Sequence, residues 1–208
     1  MAELPSVTTF VMGADLPWPD ETRLIAEKGR YEPGAVYRAG ERSECEIRRI
    51  AAGGATLRGQ LADAAGEDLS VELGGGQRAA GTVEWLERGE TGVRFKQPVD
   101  VLALINRQLI NQPTERRAMP RVEIRCAAHV RFGGSFWPST LRNISAGGLQ
   151  IEGDPLPDRG TFVSVFVDGL VLPAGEVKWR KDALAGVQLM EEVSWTSIIP
   201  WIRGLSRG

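Results

Sequence analysis

The sequence predicts a mainly β protein that consists of two small antiparallel β-barrels in tandem, each closed by a C-terminal α-helix. Three observations predict this fold. Short apolar runs alternate with many of the 25 Gly and 12 Pro residues, which is typical of antiparallel strands joined by tight turns. The sequence repeats itself after 94 residues. An apolar stripe with helical spacing follows the last strand of each repeat.

The repeat is the strongest of these observations. The segment 45–59, "CEIRRIAAGGATLRG", resembles the segment 139–153, "STLRNISAGGLQIEG". The match continues without a gap, so that "GTVEW" corresponds to the later "GEVKW". Of the 52 residue pairs between 45–96 and 139–190, 16 are identical, whereas average residue usage gives about three to five by chance. We interpret the chain as a tandem duplication.

Strands are predicted where apolar and polar residues alternate. In "VEIRCAAHVRF", residues 122–132, every second residue is apolar, and polar residues such as Arg125 and His129 lie between them. A period of two places one face of a strand on the core and the other in water. The stretch "GEVKWRK" alternates in the same way, so Val177 and Trp179 are both expected to point inward.

A helix is predicted at the end of each repeat. The apolar stripes are Val101, Leu104, Ile105 and Leu109 in the first repeat and Trp195, Ile198, Ile199, Ile202 and Leu205 in the second. Ser194 is a suitable N-cap for the second helix. Because proline fits best in a first turn, Pro200 predicts a helix that starts near Ser197 or is kinked.

Composition excludes several classes of protein. The net charge of -2 argues against general attraction to DNA, RNA or an anionic membrane. The N-terminus lacks the pattern of a signal peptide, and no apolar run has the length of a membrane span. Cys45 and Cys126 are far apart, which favours a reduced, cytoplasmic protein. The single His129 makes a metal centre or a histidine-based active site a poor interpretation.

The two repeats differ in one turn and in the segment before one strand. The second repeat has "RNISAGG" where the first has "RRIAAGG", so Arg49 replaces Asn143 and Ala51 replaces Ser145. Both repeats keep the glycines, as a tight turn with positive φ would require. Just before the second repeat's first strand, "RAMPR" contains Arg117 and Arg121, and guanidinium groups bind phosphate and guanine edges bidentately.

These residues resemble a known family. Arg-x-x-x-Arg, followed about twenty residues later by Asn-x-Ser-x-x-Gly, is similar to the PilZ domain, a bacterial receptor for cyclic di-GMP. The resemblance covers about residues 114–205, and about 30–110 resembles a degenerate PilZ domain without either motif. It implies PilZ-type split barrels. The domains expected are a 1–29 extension, a 30–112 degenerate barrel and a 113–208 PilZ domain.

The resemblance also implies the site. The residues expected to bind cyclic di-GMP are Arg117, Arg121, Asn143, Ser145 and Gly148. The arginines would bind phosphates and guanine edges, the amide and hydroxyl would bind polar edges of the ligand, and the glycine would allow close approach of the backbone. Arg116 lies outside the motif, and a solvated linker residue is an equal interpretation. No catalytic residue, metal or cofactor is expected.

The leading hypothesis is a non-enzymatic cyclic di-GMP receptor that contacts a downstream protein in motility, polysaccharide or biofilm control. The segment "NQPTERRAMPR" between the repeats has no apolar period, so a ligand that orders it would change the arrangement of the two domains. An alternative is a tandem-barrel protein–protein adaptor that binds no nucleotide. A hydrolase that uses Ser145 is disfavoured because no base partner is identifiable. No DNA or RNA binding and no membrane insertion are expected.

Overall fold

The computed structural model describes residues 6–13, 15–18, 29–59, 61–111 and 120–205. The chain divides into two compact units, Met1–Arg121 and Val122–Gly208. The expected domain boundary after residue 112 lies outside the described residues. Both units consist mainly of antiparallel strands, so the predicted mainly β class is confirmed.

The first unit contains a closed six-stranded antiparallel barrel. Its elements are β1 (Ser6–Val7), β2 (Thr9–Val11), β3 (Gly29–Arg30), β4 (Glu32–Arg38), β5 (Glu41–Ala51), β6 (Gly54–Arg58), β7 (Asp68–Leu73), a 3-10 turn (Gly74–Gly76), β8 (Gln77–Glu87), β9 (Glu90–Phe95) and α1 (Val101–Asn111). The barrel order is β5-β4-β7-β8-β9-β6, and β6 pairs with β5 to close the ring. Outside the barrel, β2 lies parallel to β5, and β1 pairs with β3.

Period-two side chains fill the first barrel, as the alternation predicts. Ile50, Val71 and Val93 are among its fully buried core residues. Helix α1 begins after Asp100, whose Oδ1 accepts a hydrogen bond from the backbone N–H of Ala103 at 3.0 Å, an N-cap interaction. In the apolar stripe of α1, Val101, Leu104 and Ile105 are buried and Leu109 is partly exposed, so the predicted first helix is confirmed.

The second unit is also a closed six-stranded antiparallel barrel. Its elements are β10 (Arg121–Phe132), β11 (Ser135–Ser145), β12 (Gly148–Glu152), β13 (Phe162–Val167), β14 (Gly175–Lys181), β15 (Leu184–Leu189) and α2 (Trp195–Leu205). The order is β10-β11-β12-β15-β14-β13, and β13 pairs with β10 to close the ring. Val122, Val130, Leu141, Ile144 and Ile151 are completely buried inside it.

Helix α2 begins at Trp195, so the start near Ser197 is wrong, while the alternative of a kink at Pro200 stays a prediction. Ser194 caps it as predicted, because its Oγ accepts a hydrogen bond from the N–H of Thr196 at 3.2 Å. Pro200 lies inside the helix. The cap and the burial of Ile198 and other apolar residues thus outweigh the preference of proline for a first turn.

The same pairs recur in both barrels at a spacing of 94 residues. These are Ala51–Gly54 and Ser145–Gly148, Arg49–Thr56 and Asn143–Gln150, and Trp85–Gly92 and Trp179–Gly186. Irregularities in register recur too, after Ile47 and Leu141 and after Val83 and Val177. The two barrels therefore share local architecture as well as sequence. No helix among the described residues is long and apolar enough to cross a bilayer.

Candidate ligand-binding site

The second barrel presents the predicted Asn-x-Ser-x-x-Gly residues on one hairpin. Ser145 ends β11, Gly148 begins β12, and the two residues pair across a two-residue turn. The Ser145 hydroxyl donates a hydrogen bond to the carbonyl oxygen of Gly148 at 3.2 Å. The structure therefore brings the Ser145 hydroxyl and the Gly148 backbone together at one end of the barrel.

Positive φ does not explain the glycines of this turn, so that expectation is wrong, and space explains only Gly148. Neither Gly147 nor Gly148 has a positive φ. A Cβ on Gly148 would lie 2.8 Å from the carbonyl oxygen of Val187, which is too close for any side chain. In the first barrel, a Cβ on Gly54 would lie 2.6 Å from the carbonyl oxygen of Val93. Gly148 thus allows β12 to approach β15, and Gly54 allows β6 to approach β9.

Asn143 is the most buried polar residue of the hairpin, with 8% of its surface exposed. Its Nδ2 donates to Oε1 of Gln150 on β12 at 2.5 Å. Asn143 also pairs in register with Glu123 of β10. Buried amides need such partners because an unpaired polar group costs about 1–3 kcal/mol. The amide is thus held in one position, close to the turn that contains Ser145.

Trp179 lies on the outer face, so the prediction that it points inward is wrong. The register shifts between Val177 and Trp179, and such a bulge reverses the alternation. Trp179 then pairs with Gly186, where a Cβ would lie 2.1 Å from the indole Nε1. Gly186 in turn pairs with Gln150. Asn143, Gln150, Gly186 and Trp179 therefore form a row across four strands, which we call the outer row.

Sequence reasoning missed Gln150 and Trp179 as members of this surface. The available signal was the repeat: each has a counterpart 94 residues earlier, at Thr56 and Trp85. Only the register of the strands, with its two irregularities, shows that Gln150 lies beside Asn143 and that Trp179 lies in the same row. An amide pair next to a partly exposed indole is suited to bind a planar polar ring by hydrogen bonds and stacking.

Of the predicted arginines, the structure describes Arg121. It is the first residue of β10 and directly precedes Val122, which pairs with Ile144. Arg121 is therefore at the end of β10 that lies beside the Asn143–Ser145 end of β11. Arg116 and Arg117 lie outside the described residues. Arg125, on the same strand, is exposed.

Groups suited to catalysis are sparse in the part of the chain that the structure describes. His129 is exposed on β10, and no group of three or more His, Cys, Asp or Glu side chains could hold a metal there. Both cysteines are free. Burial raises the pKa of the Cys45 thiol to about 11 and also raises the pKa of Cys126. Neither thiol is therefore activated as a nucleophile.

Comparison with known families gives one match, which covers most of the second unit. The sequence model of the PilZ domain family matches residues 115–202. The match falls on the part of the chain whose sequence resembles a PilZ domain. No curated protein matches the chain.

Solved structures similar to the chain share little sequence with it. Borreliella burgdorferi PlzA in complex with c-di-GMP is 11% identical, with 82% of this chain and 86% of that chain covered and a TM-score of 0.33. The Bacillus subtilis inhibitor of motility MotI/DgrA is 10% identical, with coverages of 83% and 95% and a TM-score of 0.32. Escherichia coli YcgR in complex with c-di-GMP is 13% identical, with coverages of 83% and 81% and a TM-score of 0.28.

Proposed function

We propose that this protein is a cyclic di-GMP receptor and that its second barrel binds the ligand. The observation that carries the proposal is the placement of Asn143, Ser145 and Gly148 on one hairpin of a PilZ domain, with Arg121 at the adjoining end of β10. Arg117, four residues before Arg121, is the fifth proposed ligand-binding residue. The chain is proposed to act by binding and not by catalysis.

The chemistry of the ligand fits these groups. Cyclic di-GMP has two anionic phosphates and two guanines, and arginine binds either phosphate oxygens or the guanine O6/N7 edge bidentately. Asn143 would exchange its hydrogen bond to Gln150 for one to a guanine edge. Ser145 would turn its hydroxyl from Gly148 toward the ligand. Gly148 would offer its backbone to the ligand, and its lack of a side chain lets β12 approach Val187 of β15.

We propose further that the ligand acts on the arrangement of the two units. Arg117 precedes β10 in the sequence and Arg121 is the first residue of β10, whereas Asn143 and Ser145 lie in the hairpin. A ligand bound by both groups would order the connector between the units, and ordering of a segment is a common switching mechanism. The new arrangement would alter contacts with a downstream protein in the cytoplasm.

The first test is isothermal titration calorimetry with cyclic di-GMP on the wild type and on Arg121→Ala. Removal of one charged bidentate contact should cost about 1.5–3 kcal/mol, a loss of affinity of roughly tenfold to a hundredfold. Arg125→Ala is the matched control, because it removes the same charge from an exposed position on the same strand. We expect it to change the affinity by less than about threefold.

A wild-type chain that releases or absorbs no heat, and gives no signal in a second assay at high ligand concentration, would contradict the receptor function. Equal losses in Arg121→Ala and Arg125→Ala would contradict the site and would indicate general attraction to positive charge. The first outcome tests whether the protein is a receptor, and the second tests which residues bind the ligand.

An adaptor that binds protein and no nucleotide is the second candidate. It is favoured by exposed aromatic side chains on the outside of the second barrel: Phe136 and Phe166 are 58% and 43% exposed, with ring centroids 5.4 Å apart. The Arg131 guanidinium lies 5.8 Å from each ring. Aromatic residues with arginine are typical of protein-binding surfaces. Silence toward cyclic di-GMP in the titration above would favour this function.

A further inference from the structure

The first barrel has its own outer row at the corresponding positions. Arg49 pairs with Thr56, Thr56 with Gly92, and Gly92 with Trp85, in the same register as Asn143, Gln150, Gly186 and Trp179. A Cβ on Gly92 would lie 2.1 Å from the Trp85 indole nitrogen, the same contact as in the second barrel. The two surfaces differ in their donors, since a guanidinium and a hydroxyl replace the two amides.

A segment of the chain itself covers this first outer row. Arg49 Nη1 donates a hydrogen bond to the backbone oxygen of Trp18, and Thr56 Oγ1 donates one to the backbone oxygen of Pro17. The Trp18 ring meets the Trp85 ring edge to face, with centroids 5.7 Å apart and planes at 84°. Pro17 is buried. Arg49 and Thr56 are the two donors that differ from the second barrel, and each of them binds a backbone carbonyl of this segment.

The glycines of the first turn contribute to the same contact. A Cβ on Gly53 would lie 3.2 Å from Cδ2 of Leu16, and one on Gly54 would lie 3.6 Å from Cδ of Pro17. Leu16, Pro17 and Trp18 thus rest on the turn and on the outer row in sequence order.

The strand that precedes this segment also differs between the barrels. In the second barrel Glu123 pairs with Asn143 at the start of the antiparallel strand β10. In the first barrel the equivalent position, Arg49, pairs instead with Thr9 of the parallel strand β2. The N-terminal part of the chain therefore lies both beside β5 and over its turn.

We propose that the outer row of the first barrel is a peptide-binding site for an extended apolar–Pro–Trp segment, and that Leu16–Trp18 fills it in cis. Charged and hydroxyl donors bind two successive carbonyls, and Trp85 with the turn glycines accepts the side chains. Proline favours such a ligand because it is extended before binding and loses little entropy. The inference is independent of cyclic di-GMP binding.

A variant with Leu16→Gly, Pro17→Ser and Trp18→Gly tests the site, because it empties the outer row and leaves β2 unchanged. The probe is a fluorescein-labelled peptide with the sequence of residues 15–20, "DLPWPD", and the readout is fluorescence anisotropy. We expect the triple variant to bind the peptide. The wild type should not, since a tethered segment competes at an effective concentration in the millimolar range.

The donor is tested in the same background. Adding Arg49→Ala to the triple variant should weaken peptide binding about tenfold. Adding Arg42→Ala should not, since Arg42 lies on the same strand but its side chain contacts Glu44. Equal binding by the wild type and the triple variant, or no effect of Arg49→Ala, would overturn the proposal. Because no nucleotide is used, either result leaves the function of the second barrel unaffected.

A second measurement applies if the triple variant does not fold. In full-length protein labelled with 5-fluorotryptophan, the ¹⁹F resonance that disappears in Trp18→Phe belongs to Trp18. That resonance should shift in Trp85→Phe, whose ring it contacts, and stay unchanged in Trp179→Phe. A Trp18 resonance that has the solvent isotope shift of a fully exposed indole, or ignores Trp85→Phe, would contradict a filled site.

Discussion

Gly147 and Gly148 are adjacent, yet only one of them needs to be glycine for reasons of space. The Cβ of an alanine at 148 would lie 2.8 Å from a backbone oxygen of β15, whereas a Cβ at 147 meets nothing within 4 Å. Gly148→Ala should therefore destabilise the fold by about 1–3 kcal/mol, and Gly147→Ala should change stability by less than about 0.5 kcal/mol. Urea denaturation measures both, and similar losses for the two variants would contradict the steric explanation.

At this scale the sequence predicts some site residues and not others. The sequence predicts the turn motif because the first copy lacks its polar residues. Asn143 and Ser145 correspond to Arg49 and Ala51 in that copy. Trp179 was assigned to the wrong face because a β-bulge changes the alternation without a signal in residue type. Gln150 was missed for the same reason, since its partnership with Asn143 depends on register.

Among the elements, the two helices have the same length and lie 94 residues apart, at Val101–Asn111 and Trp195–Leu205. Pro200 in α2 corresponds to Asn106 in α1. An interior proline removes one hydrogen bond and costs about 3 kcal/mol, while its restriction of the unfolded chain returns about 0.4–1 kcal/mol. Pro200→Ala should therefore stabilise the protein by about 2 kcal/mol.

Thermal and urea denaturation check this prediction, with Asn106→Ala as the control. That change alters only helix propensity and should raise the free energy of unfolding by about 0.5 kcal/mol. If Pro200→Ala were neutral or destabilising, packing of the proline ring would have to outweigh the lost hydrogen bond.

The strands show where element prediction from sequence stops. Alternation and turn residues predicted the antiparallel barrels because each strand pairs with a neighbour close in sequence. The sequence predicts no strand within the 1–29 extension, whereas the structure has β2 there, paired in parallel with β5. Three residues carry too little periodicity to predict a strand, and its partner lies about forty residues away.

For the whole molecule, the first barrel has a filled outer row, and the second has the amide–hydroxyl turn that resembles the PilZ motif. Of the proposed ligand-binding residues, Arg121 is the first residue of β10, and Arg117 precedes that strand in the sequence. We therefore expect cyclic di-GMP to change the relative placement of the units, since it would join connector and barrel.

Small-angle X-ray scattering of the wild type at saturating ligand should give a different curve from the free protein. Arg121→Ala at the same ligand concentration should give the curve of the free protein. An unchanged wild-type curve, with saturation verified by calorimetry, would remove the switch and leave a receptor that signals through its surface alone.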